Sequence, residues 1–216
     1  MQCIVTAGPT FEPMDAVRRL TNSSTGRLGS ELANFLAAQG HDTLLLVGQH
    51  ATYCGECHGR QVETFTTTAN LRDRLQARVG RSIEAVFHAA AVSDFAFGKI
   101  WRRSSQGELA EIKAGKIPTQ QGALLAELLP TPKIIAELRD WFPQARLVGW
   151  KYEVDGDRAG VIRRAEAQIT ECRTNACVAN GPAYGLGFGF VPGGSQVVHL
   201  SDSAALFAML EQFIRR

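Results

Sequence analysis

Residues 18–29 read RRLTNSSTGRLG, and their side chains are of the types that bind anions. The polar residues at 22–25 stand just before a stretch with helical spacing, so any of them can cap the start of a helix. A helix start presents free backbone N–H groups and the positive end of the helix dipole, which both favour an anion. Arg18 and Arg19 add guanidinium groups, whose planar shape suits phosphate or carboxylate. The stretch therefore predicts an anion site.

The glycines around this stretch form a dinucleotide-binding pattern that a long loop interrupts. An ordinary fingerprint places G-x-G-x-x-G directly after the first strand. Here Gly8 ends a predicted strand at Gln2–Ala7, and Gly26 and Gly29 follow only after the loop. A loop of this length inside a compact unit is usually functional or disordered. Two interpretations are open: the polar loop fills the space of a dinucleotide pyrophosphate, or it is a surface loop that caps a helix.

The rest of the chain supplies the elements that would carry such a site. Apolar runs predict buried strands, and apolar residues at helical spacing predict the helices that cover them. Strands are predicted at residues 2–7, 43–47, 61–66, 84–91, 146–150, 175–180 and 196–200. Helices are predicted at residues 26–39 and 156–172, and after the N-caps Thr131 and Ser203. A further helix is predicted up to residue 77, with Thr67 or Thr68 as its N-cap. This alternation predicts one α/β domain over residues 1–216, a Rossmann-like three-layer fold with a mostly parallel central sheet and a long loop after the first strand.

Three segments are less regular. Residues 97–118 are polar and rich in lysine and arginine, which predicts a flexible flap. Residues 123–129 (ALLAELL) fit either a strand or a helix. Residues 185–194 are rich in glycine and predict a hairpin or turns.

Length and composition bound the kind of protein. The chain has 216 residues, 45% of them hydrophobic, and a formal net charge of +2. It can bury a full core, and its near-balanced charge gives no support for binding nucleic acid. Neither a signal peptide nor a membrane-spanning run is recognisable, which predicts a cytoplasmic protein without a membrane partner. The five cysteines, an odd number, argue against a disulfide framework.

Residues 49–59 (QHATYCGECHG) contain four side chains that can bind metals: His50, Cys54, Cys57 and His58. Together they could hold zinc, and the Cys-x-x-Cys pair could form a redox couple. The run Cys-x-x-Cys-His also matches the haem attachment pattern, which requires export. The simplest interpretation is an ordinary loop with incidental cysteines, so no metal site is predicted here.

The predicted strand at residues 84–91 ends where open α/β sheets bind ligands. The small residues Ala90 and Ala91 would let a ligand approach the backbone closely. Asp94 follows and is either a ligand contact or the N-cap of the next element. His88 is predicted to be a packed strand residue. Trp150, in a later strand, is a core residue or a ligand neighbour.

Several motifs in the first loop recur together in one known family. They are VTAGPT at residues 5–10, then Glu12, Pro13, Asp15, Val17, Arg18, TNSSTG at residues 21–26, and Gly29. This pattern resembles phosphopantothenoylcysteine synthetase, the synthetase half of the bifunctional coenzyme A flavoproteins, also called the DNA/pantothenate metabolism flavoprotein domain. The resemblance covers nearly the whole chain and is most specific in this loop. It implies a stand-alone synthetase in coenzyme A biosynthesis, and it makes residues 123–129 a strand.

The resemblance also implies roles for individual residues. Asn22 would hold an acyl-phosphate intermediate through its amide, and Arg18 would bind an anion at a dimer interface. Lys116, on the flap at residues 97–118, would stabilise charge during nucleotidyl transfer, with Lys113 as the competing residue. The nucleotide would contact Gly8, Ala90, Ala91, Asp94, Thr131, Pro132, Ile134 and Trp150.

The implied reaction joins 4′-phosphopantothenate to cysteine through an acyl-nucleotide intermediate. CTP or ATP would be the co-substrate, and Mg²⁺ would shield its phosphates. No flavin is expected, because the decarboxylase half of the bifunctional proteins is absent from this sequence. The implied partners are a second copy of the chain, as a homodimer, and a separate flavin-dependent decarboxylase.

The sequence departs from this family in two places. Lysines that usually grip the triphosphate are replaced near Gln168 and Cys172, and Gly181 stands where the family has aspartate. These departures keep open a non-catalytic nucleotide-binding relative. A nicotinamide-dependent reductase of the short-chain type is a further alternative, but the tyrosine and lysine four residues apart that it needs are not found.

Overall fold

The computed structural model describes residues 1–55, 61–118 and 123–215. Their elements follow in the order β1 (Gln2–Ala7), β2 (Phe11–Pro13), β3 (Arg19–Thr21), α1 (Arg27–Ala38), β4 (Asp42–Gly48), β5 (Gln61–Phe65), α2 (Thr68–Gln76), β6 (Ala85–His88), β7 (Phe95–Arg103), β8 (Leu109–Glu111), β9 (Ala123–Pro130), α3 (Ile134–Trp141), β10 (Arg146–Tyr152), α4 (Arg158–Cys172), β11 (Ala176–Asn180), β12 (Phe188–Pro192), β13 (Val198–Leu200) and α5 (Ser203–Ile214).

Eight of these strands form the central sheet, in the order β13-β12-β11-β10-β6-β1-β4-β5. Every neighbouring pair from β11 to β5 is parallel. At the other edge β12 pairs antiparallel with β11, and β13 pairs antiparallel with β12. The predicted α/β fold with a mostly parallel central sheet is confirmed.

The helices cover both faces of this sheet because successive residues of each strand point to opposite faces. In β1, Cys3 and Val5 pack in a cluster with Leu32 of α1 and Leu210 of α5. The intervening Ile4 packs in a second cluster, formed with α2 and α3. The α4 helix covers β11 through a third, smaller cluster. Burying each large apolar side chain contributes about 1.5–3 kcal/mol, so these clusters hold the three layers together.

A separate three-stranded antiparallel sheet, called the arm below, consists of β7, β8 and β9. The prediction that residues 97–118 are irregular is wrong in part, because β7 and β8 lie within them. The strand at residues 123–129 that the resemblance implied is confirmed as β9. All eight residues of β9 are exposed, although most of them are apolar.

Several predicted boundaries differ from the structure by a few residues. The β6 strand ends at His88, three residues before the predicted end at residue 91. The glycine-rich residues 185–194 contain the strand β12. Asp202 caps α5 by accepting a hydrogen bond from the Ala205 N–H, so Ser203 is the first helical residue and not the cap. By contrast, the predicted cap Thr67 does start α2.

Across the described part of the chain, no helix combines the length and the apolar character that crossing a bilayer requires.

Candidate active site

The long loop after β1 folds over the carboxyl ends of β1 and β6. Pro9 forms a parallel bridge with Ala91. The Thr10 N–H donates to the Ala91 carbonyl at 3.2 Å, and the Ala91 N–H donates to the Gly8 carbonyl at 3.0 Å. The Thr10 hydroxyl accepts a hydrogen bond from the Ser93 N–H at 2.8 Å. The loop therefore extends the pairing of β1 with β6 and brings Gly8 and Ala91 together.

Asn22 joins this arrangement from the far end of the loop. Its amide nitrogen donates to the carbonyl oxygens of Ala91 and Val92, each at 3.2 Å. Asn22 is exposed, so its side chain lies at the surface of the sheet's carboxyl edge. Carboxyl edges of parallel strands are where open α/β sheets bind ligands. Two predicted site residues, Asn22 and Ala91, are thus in direct contact.

The first helix starts differently from the prediction. Gly26 is the N-cap of α1, with φ of 78°, and no side chain caps it, so capping by residues 22–25 is wrong in this form. Thr25 still accepts a hydrogen bond from the Arg27 N–H at 3.3 Å. A Cβ on Gly26 would lie 3.2 Å from the Gly8 Cα. The left-handed backbone and this close approach both require glycine.

The glycines keep the packing roles of a dinucleotide fingerprint even though the loop separates them. Gly26 lies against Gly8, at the turn between strand and helix. A Cβ on Gly29 would lie 2.6 Å from the Ala7 Cβ, so Gly29 allows α1 to pack closely on β1. The loop also reaches α2, where the buried Glu12 carboxylate accepts a hydrogen bond from the Thr68 N–H at 2.9 Å.

A buried polar network fixes the end of β6. The Thr6 hydroxyl accepts from the Ala90 N–H at 3.1 Å and lies 3.0 Å from His88 Nδ1. The Thr6 hydroxyl keeps its hydrogen, which a neutral imidazole can accept at Nδ1. Burial lowers the pKa of His88 to about 4. His88 is therefore the packed strand residue that was predicted, and it positions Ala90 through Thr6.

Asp94 and Thr131 meet beside the same strand end. The Thr131 N–H donates to the Asp94 carbonyl at 3.0 Å, and the Thr131 hydroxyl donates to the Ser93 carbonyl. Asp94 precedes the strand β7, so the N-cap interpretation of Asp94 is wrong. Thr131 is not a cap either, since the N-cap of α3 is Lys133. The structure thus gathers Asp94 and Thr131 with Ala90 and Ala91.

The remaining predicted nucleotide contacts differ in accessibility. Pro132 is exposed, whereas the Ile134 side chain is buried and its N–H donates to the Pro132 carbonyl at 3.1 Å. Trp150 is half-buried in β10 and packs against the cluster of α1 and α5. Its indole N–H is buried, and no residue in the described ranges accepts a hydrogen bond from it. The Ile134 side chain is therefore out of reach of a ligand, whereas Pro132 and the exposed part of Trp150 are accessible.

Arg18 is occupied within the loop. Its Nε and Nη2 donate to Asp15 Oδ2, at 2.9 and 2.5 Å, and Nη2 also donates to the Ile117 carbonyl at 2.6 Å. Arg18 therefore lies at the contact between the first loop and the end of the flap, and Asp15 offsets its charge. Sequence reasoning missed this role of Asp15, because the partner Ile117 is 102 residues away.

Lys116 lies at the same contact, between Gly115 and Ile117, and its side chain is exposed. Its competitor Lys113 lies outside the contact, with its ammonium 3.8 Å from the Glu111 carboxylate. The structure brings the backbone around Lys116, and not that around Lys113, to the loop that carries Asn22.

Gln168 and Cys172, near which the family usually has lysines, are both buried. Gln168 is buried, and its amide donates to the Cys177 thiol at 3.3 Å. A Cβ on Gly149 would lie 2.3 Å from the Gln168 Nε2, so Gln168 packs on β10. Cys172 is 1% exposed. Neither side chain is therefore accessible to a phosphate.

Gly181, the other departure, has a structural cause. Its φ is 108°, and a Cβ there would lie 2.5 Å from the Glu153 carbonyl oxygen. Only glycine fits this backbone and this distance.

The loop at residues 49–59 is described only in part, because Cys57 and His58 lie outside the described residues. Cys54 is exposed, and its thiol donates to the Thr52 carbonyl at 3.3 Å. His50 accepts a hydrogen bond from Arg19 and contacts the Phe11 ring edge-on. Within the described ranges, no group of three or more metal-binding side chains occurs. The zinc and redox hypotheses therefore stay untested.

The fold defines a Rossmann-like α/β domain, and the candidate site residues lie at the carboxyl ends of β1 and β6. Residues 1–205 match the family described as the DNA/pantothenate metabolism flavoprotein C-terminal domain. The chain belongs to this family.

Individual relatives agree with this assignment. The coenzyme A biosynthesis bifunctional protein CoaBC of Thermococcus kodakarensis is 31% identical over 177 residues, which are 82% of this chain and 40% of that protein. The corresponding protein of Methanocaldococcus jannaschii is 24% identical, again over 40% of its length. The chain thus spans less than half of either relative.

Solved structures share the fold. The DNA/pantothenate metabolism flavoprotein of Streptococcus pneumoniae superposes with a TM-score of 0.83 at 24% identity and covers all of both chains. A Cab2 H337A mutant in complex with phosphopantothenate-cysteine gives a TM-score of 0.72 at 20% identity, over 99% of this chain and 85% of that one. These likenesses confirm the three-layer architecture.

Proposed function

We propose that this chain is a phosphopantothenate–cysteine ligase of coenzyme A biosynthesis. In the first step a carboxylate oxygen of 4′-phosphopantothenate attacks the α-phosphate of a nucleoside triphosphate, forming an acyl-nucleotide and releasing pyrophosphate. In the second step the cysteine amine attacks the acyl carbon, forming the amide and releasing the nucleoside monophosphate and a proton. Neither step is an oxidation or a reduction, so the proposed reaction requires no flavin.

The observation that carries this proposal is a contact within the described residues. Asn22 reaches the carbonyls of Ala91 and Val92 at the carboxyl edge, in a chain whose family includes coenzyme A biosynthesis proteins. The two amide N–H groups of Asn22 are directed at these carbonyls, so an acyl phosphate next to the small residue Ala91 would accept one of them in place of a carbonyl. The structure of Cab2 with phosphopantothenate-cysteine supports this substrate class by analogy.

The other proposed roles follow from position. Lys116 is the exposed cation next to the first loop, and it stabilises negative charge as pyrophosphate leaves. Arg18 lies at the same contact and binds a substrate anion when a second copy approaches. Its pairing with Asp15 in this structure means that such an anion competes with a carboxylate.

The nucleotide is proposed to be CTP, with ATP as the alternative. Gly8, Ala90, Ala91, Asp94, Thr131, Pro132, Ile134 and Trp150 are proposed to surround it. Magnesium enters with the phosphates, since Mg²⁺ usually binds through substrate phosphates and one or two carboxylates. The exposed Asp94 is the carboxylate at this edge that fits such a role.

We further propose a homodimer that forms through the arm. Four leucines of β9 are between 37% and 49% exposed, and Phe95 of β7 is 45% exposed. Successive residues of a strand point to opposite faces, so Leu124 and Leu128 lie on one face of β9 and Leu125 and Leu129 on the other. Exposed apolar side chains grouped on one face favour an interaction site, and a second copy would cover one of these faces. The protein is proposed to act in the cytoplasm, with a flavin-dependent decarboxylase supplied separately or by another part of a longer chain.

Pyrophosphate release by the purified protein tests the function. The assay contains 4′-phosphopantothenate and Mg²⁺, with CTP or ATP, with and without cysteine. Release that depends on phosphopantothenate and falls on the order of 100-fold in Lys116→Gln supports the proposal. Asn22→Asp, which places a negative charge against the acyl phosphate, should also abolish release. Nucleotide binding without any release would instead indicate a non-catalytic relative.

A further inference from the structure

The contact between the first loop and the flap is built around one carboxylate. Asp15 accepts hydrogen bonds from the N–H groups of Val17 and Arg18, at 2.9 and 2.8 Å. It also accepts from the Arg18 guanidinium and, across the contact, from the Ile117 N–H at 3.1 Å. The Asp15 side chain thus forms hydrogen bonds within its own turn, with the Arg18 side chain and with the flap.

The flap is held on both sides of Lys116. Before it, the Gly115 carbonyl accepts a hydrogen bond from the Ala16 N–H at 2.8 Å. After it, Ile117 donates its N–H to Asp15, and its carbonyl accepts from Arg18. The Ile117 side chain is 3% exposed, so an apolar anchor accompanies these hydrogen bonds. Lys116 is the exposed residue between two fixed neighbours.

Asp15 differs from the exposed ion pairs of this chain. Its side chain is 1% exposed, whereas the Glu31 side chain in the Arg27–Glu31 pair is 24% exposed. Burial opposes the ionisation of Asp15, but the Val17 N–H, the Arg18 side chain and the Ile117 N–H lower its pKa well below the usual range. Exposed pairs contribute little because water competes with them. A buried carboxylate with five donors instead fixes the geometry of its partners.

We propose that Asp15 is a positioning residue that fixes Lys116 beside the first loop by holding Ile117 and Arg18. The clasp consists of Asp15, Arg18, Gly115 and Ile117 with the Ala16 N–H. This inference rests on the proposed function, because the position of Lys116 affects the rate only if Lys116 acts in pyrophosphate release. The clasp also sets the orientation of Arg18, so a substrate anion that takes Arg18 from Asp15 would loosen the flap.

The consequence of losing the carboxylate is specific. In Asp15→Asn the side chain keeps one acceptor oxygen but presents an N–H₂ group to a donor of the loop or flap. An unmatched buried donor pushes the two segments apart. Displacing a catalytic group by about 1 Å can cost on the order of 100-fold in rate. The expected result is a loss in kcat for pyrophosphate release, with a nucleotide KM near that of the wild type.

Limited proteolysis measures the clasp without relying on activity. Trypsin can cleave after Lys116 only when the flap leaves the loop, so the cleavage rate reports the open population. We expect this cleavage, followed by mass spectrometry, to be about 10-fold faster in Asp15→Asn. Cleavage after Arg74, within α2, serves as the reference for global unfolding and should not change.

Glu111→Gln is the matched control, since it makes the same chemical change in an exposed flap pair outside the clasp. It should change neither the cleavage nor kcat. The proposal is overturned if cleavage after Lys116 is unchanged in Asp15→Asn, or rises equally in Glu111→Gln. It is also overturned if cleavage rises while kcat stays at the wild-type value.

Arg18→Lys provides a second variant in case Asp15→Asn fails to fold. It leaves the turn hydrogen bonds of Asp15 intact, but an ammonium cannot hold both the carboxylate and the Ile117 carbonyl as the planar fork does. Faster cleavage after Lys116 is again expected, and unchanged cleavage would contradict the clasp. If the wild type releases no pyrophosphate, the proposed function fails, while the cleavage comparison still decides whether Asp15 holds the flap.

Discussion

Two apolar strands, β6 and β9, have opposite surroundings. All four residues of β6 are buried between helices that cover both faces of the central sheet. All eight residues of β9 are exposed, in the three-stranded arm that is separate from the central sheet. The same kind of side chain therefore stabilises the fold in one region and remains available for a partner in the other. Substitutions in the two regions should have separable effects.

The largest effect is expected from a cavity in the central sheet. Leu45 of β4 is fully buried, so Leu45→Ala should lower the free energy of unfolding by about 3–5 kcal/mol. Leu128→Ala in β9 makes the same change at a residue that is 49% exposed, and should cost less than about 0.5 kcal/mol in dilute monomer. Urea denaturation at low protein concentration measures both. Equal losses would contradict the comparison.

Acid should weaken the central sheet through His88 of β6. The neutral His88 has its pKa lowered to about 4 by burial, from 6.5 in the unfolded chain. The unfolded state therefore binds more protons between these two values, and stability falls as pH drops from 6.5 to 4. The loss attributable to His88 reaches about 3 kcal/mol at the lower end. Above pH 6.5 this contribution is constant.

His88→Asn is the control for this pH dependence. The asparagine oxygen can accept the Thr6 hydroxyl in place of Nδ1 but does not titrate. Unfolding measured from pH 4 to 7.5 should therefore show a shallower acid slope in His88→Asn. An unchanged slope would mean that other groups cause the acid sensitivity.

The arm should respond to charge at its exposed leucines. If a second copy covers β9, then Leu128→Lys introduces two like charges into the interface and should weaken dimerisation about 100-fold, or ~2.8 kcal/mol. Analytical ultracentrifugation over a range of concentrations measures this. Val79→Lys, at another half-exposed apolar residue, is the control. A wild type that stays monomeric at high concentration would contradict the proposed dimer.

The contrast between the two regions also explains what the sequence could predict. Apolar periodicity identified β1, β4 and the inward faces of the helices, since local spacing determines which residues reach the core. The arm was missed in part because β7 carries polar residues and is defined by pairing with β9. In the site, the contact of Asn22 with Ala91 and that of Asp15 with Ile117 join residues 69 and 102 positions apart. No local pattern encodes such contacts, so only the resemblance pointed to the first, and nothing pointed to the second.

The smallest effect is expected at the start of α2, where this helix contacts the first loop. Thr67 accepts a hydrogen bond from the Asn70 N–H at 3.1 Å, next to the Thr68 N–H that binds Glu12 of the loop. Removing this cap in Thr67→Ala should cost about 1 kcal/mol of unfolding free energy. Ser203→Ala is the matched control, because Asp202 and not Ser203 caps α5, and should change stability by less than about 0.5 kcal/mol.

Thermal and urea denaturation of the two variants would show whether the N-cap is the residue that the sequence pattern predicts or the residue that the structure shows. Both hydroxyl residues satisfied the same sequence rule, yet only Thr67 has the extended backbone of an N-cap and a bonded N–H. A greater loss of unfolding free energy in Ser203→Ala than in Thr67→Ala would show that the start of α5 in solution differs from the one described. A loss in Thr67→Ala that also releases the loop, seen as faster exchange of the Thr68 N–H, would show that α2 stabilises the site as well as the sheet.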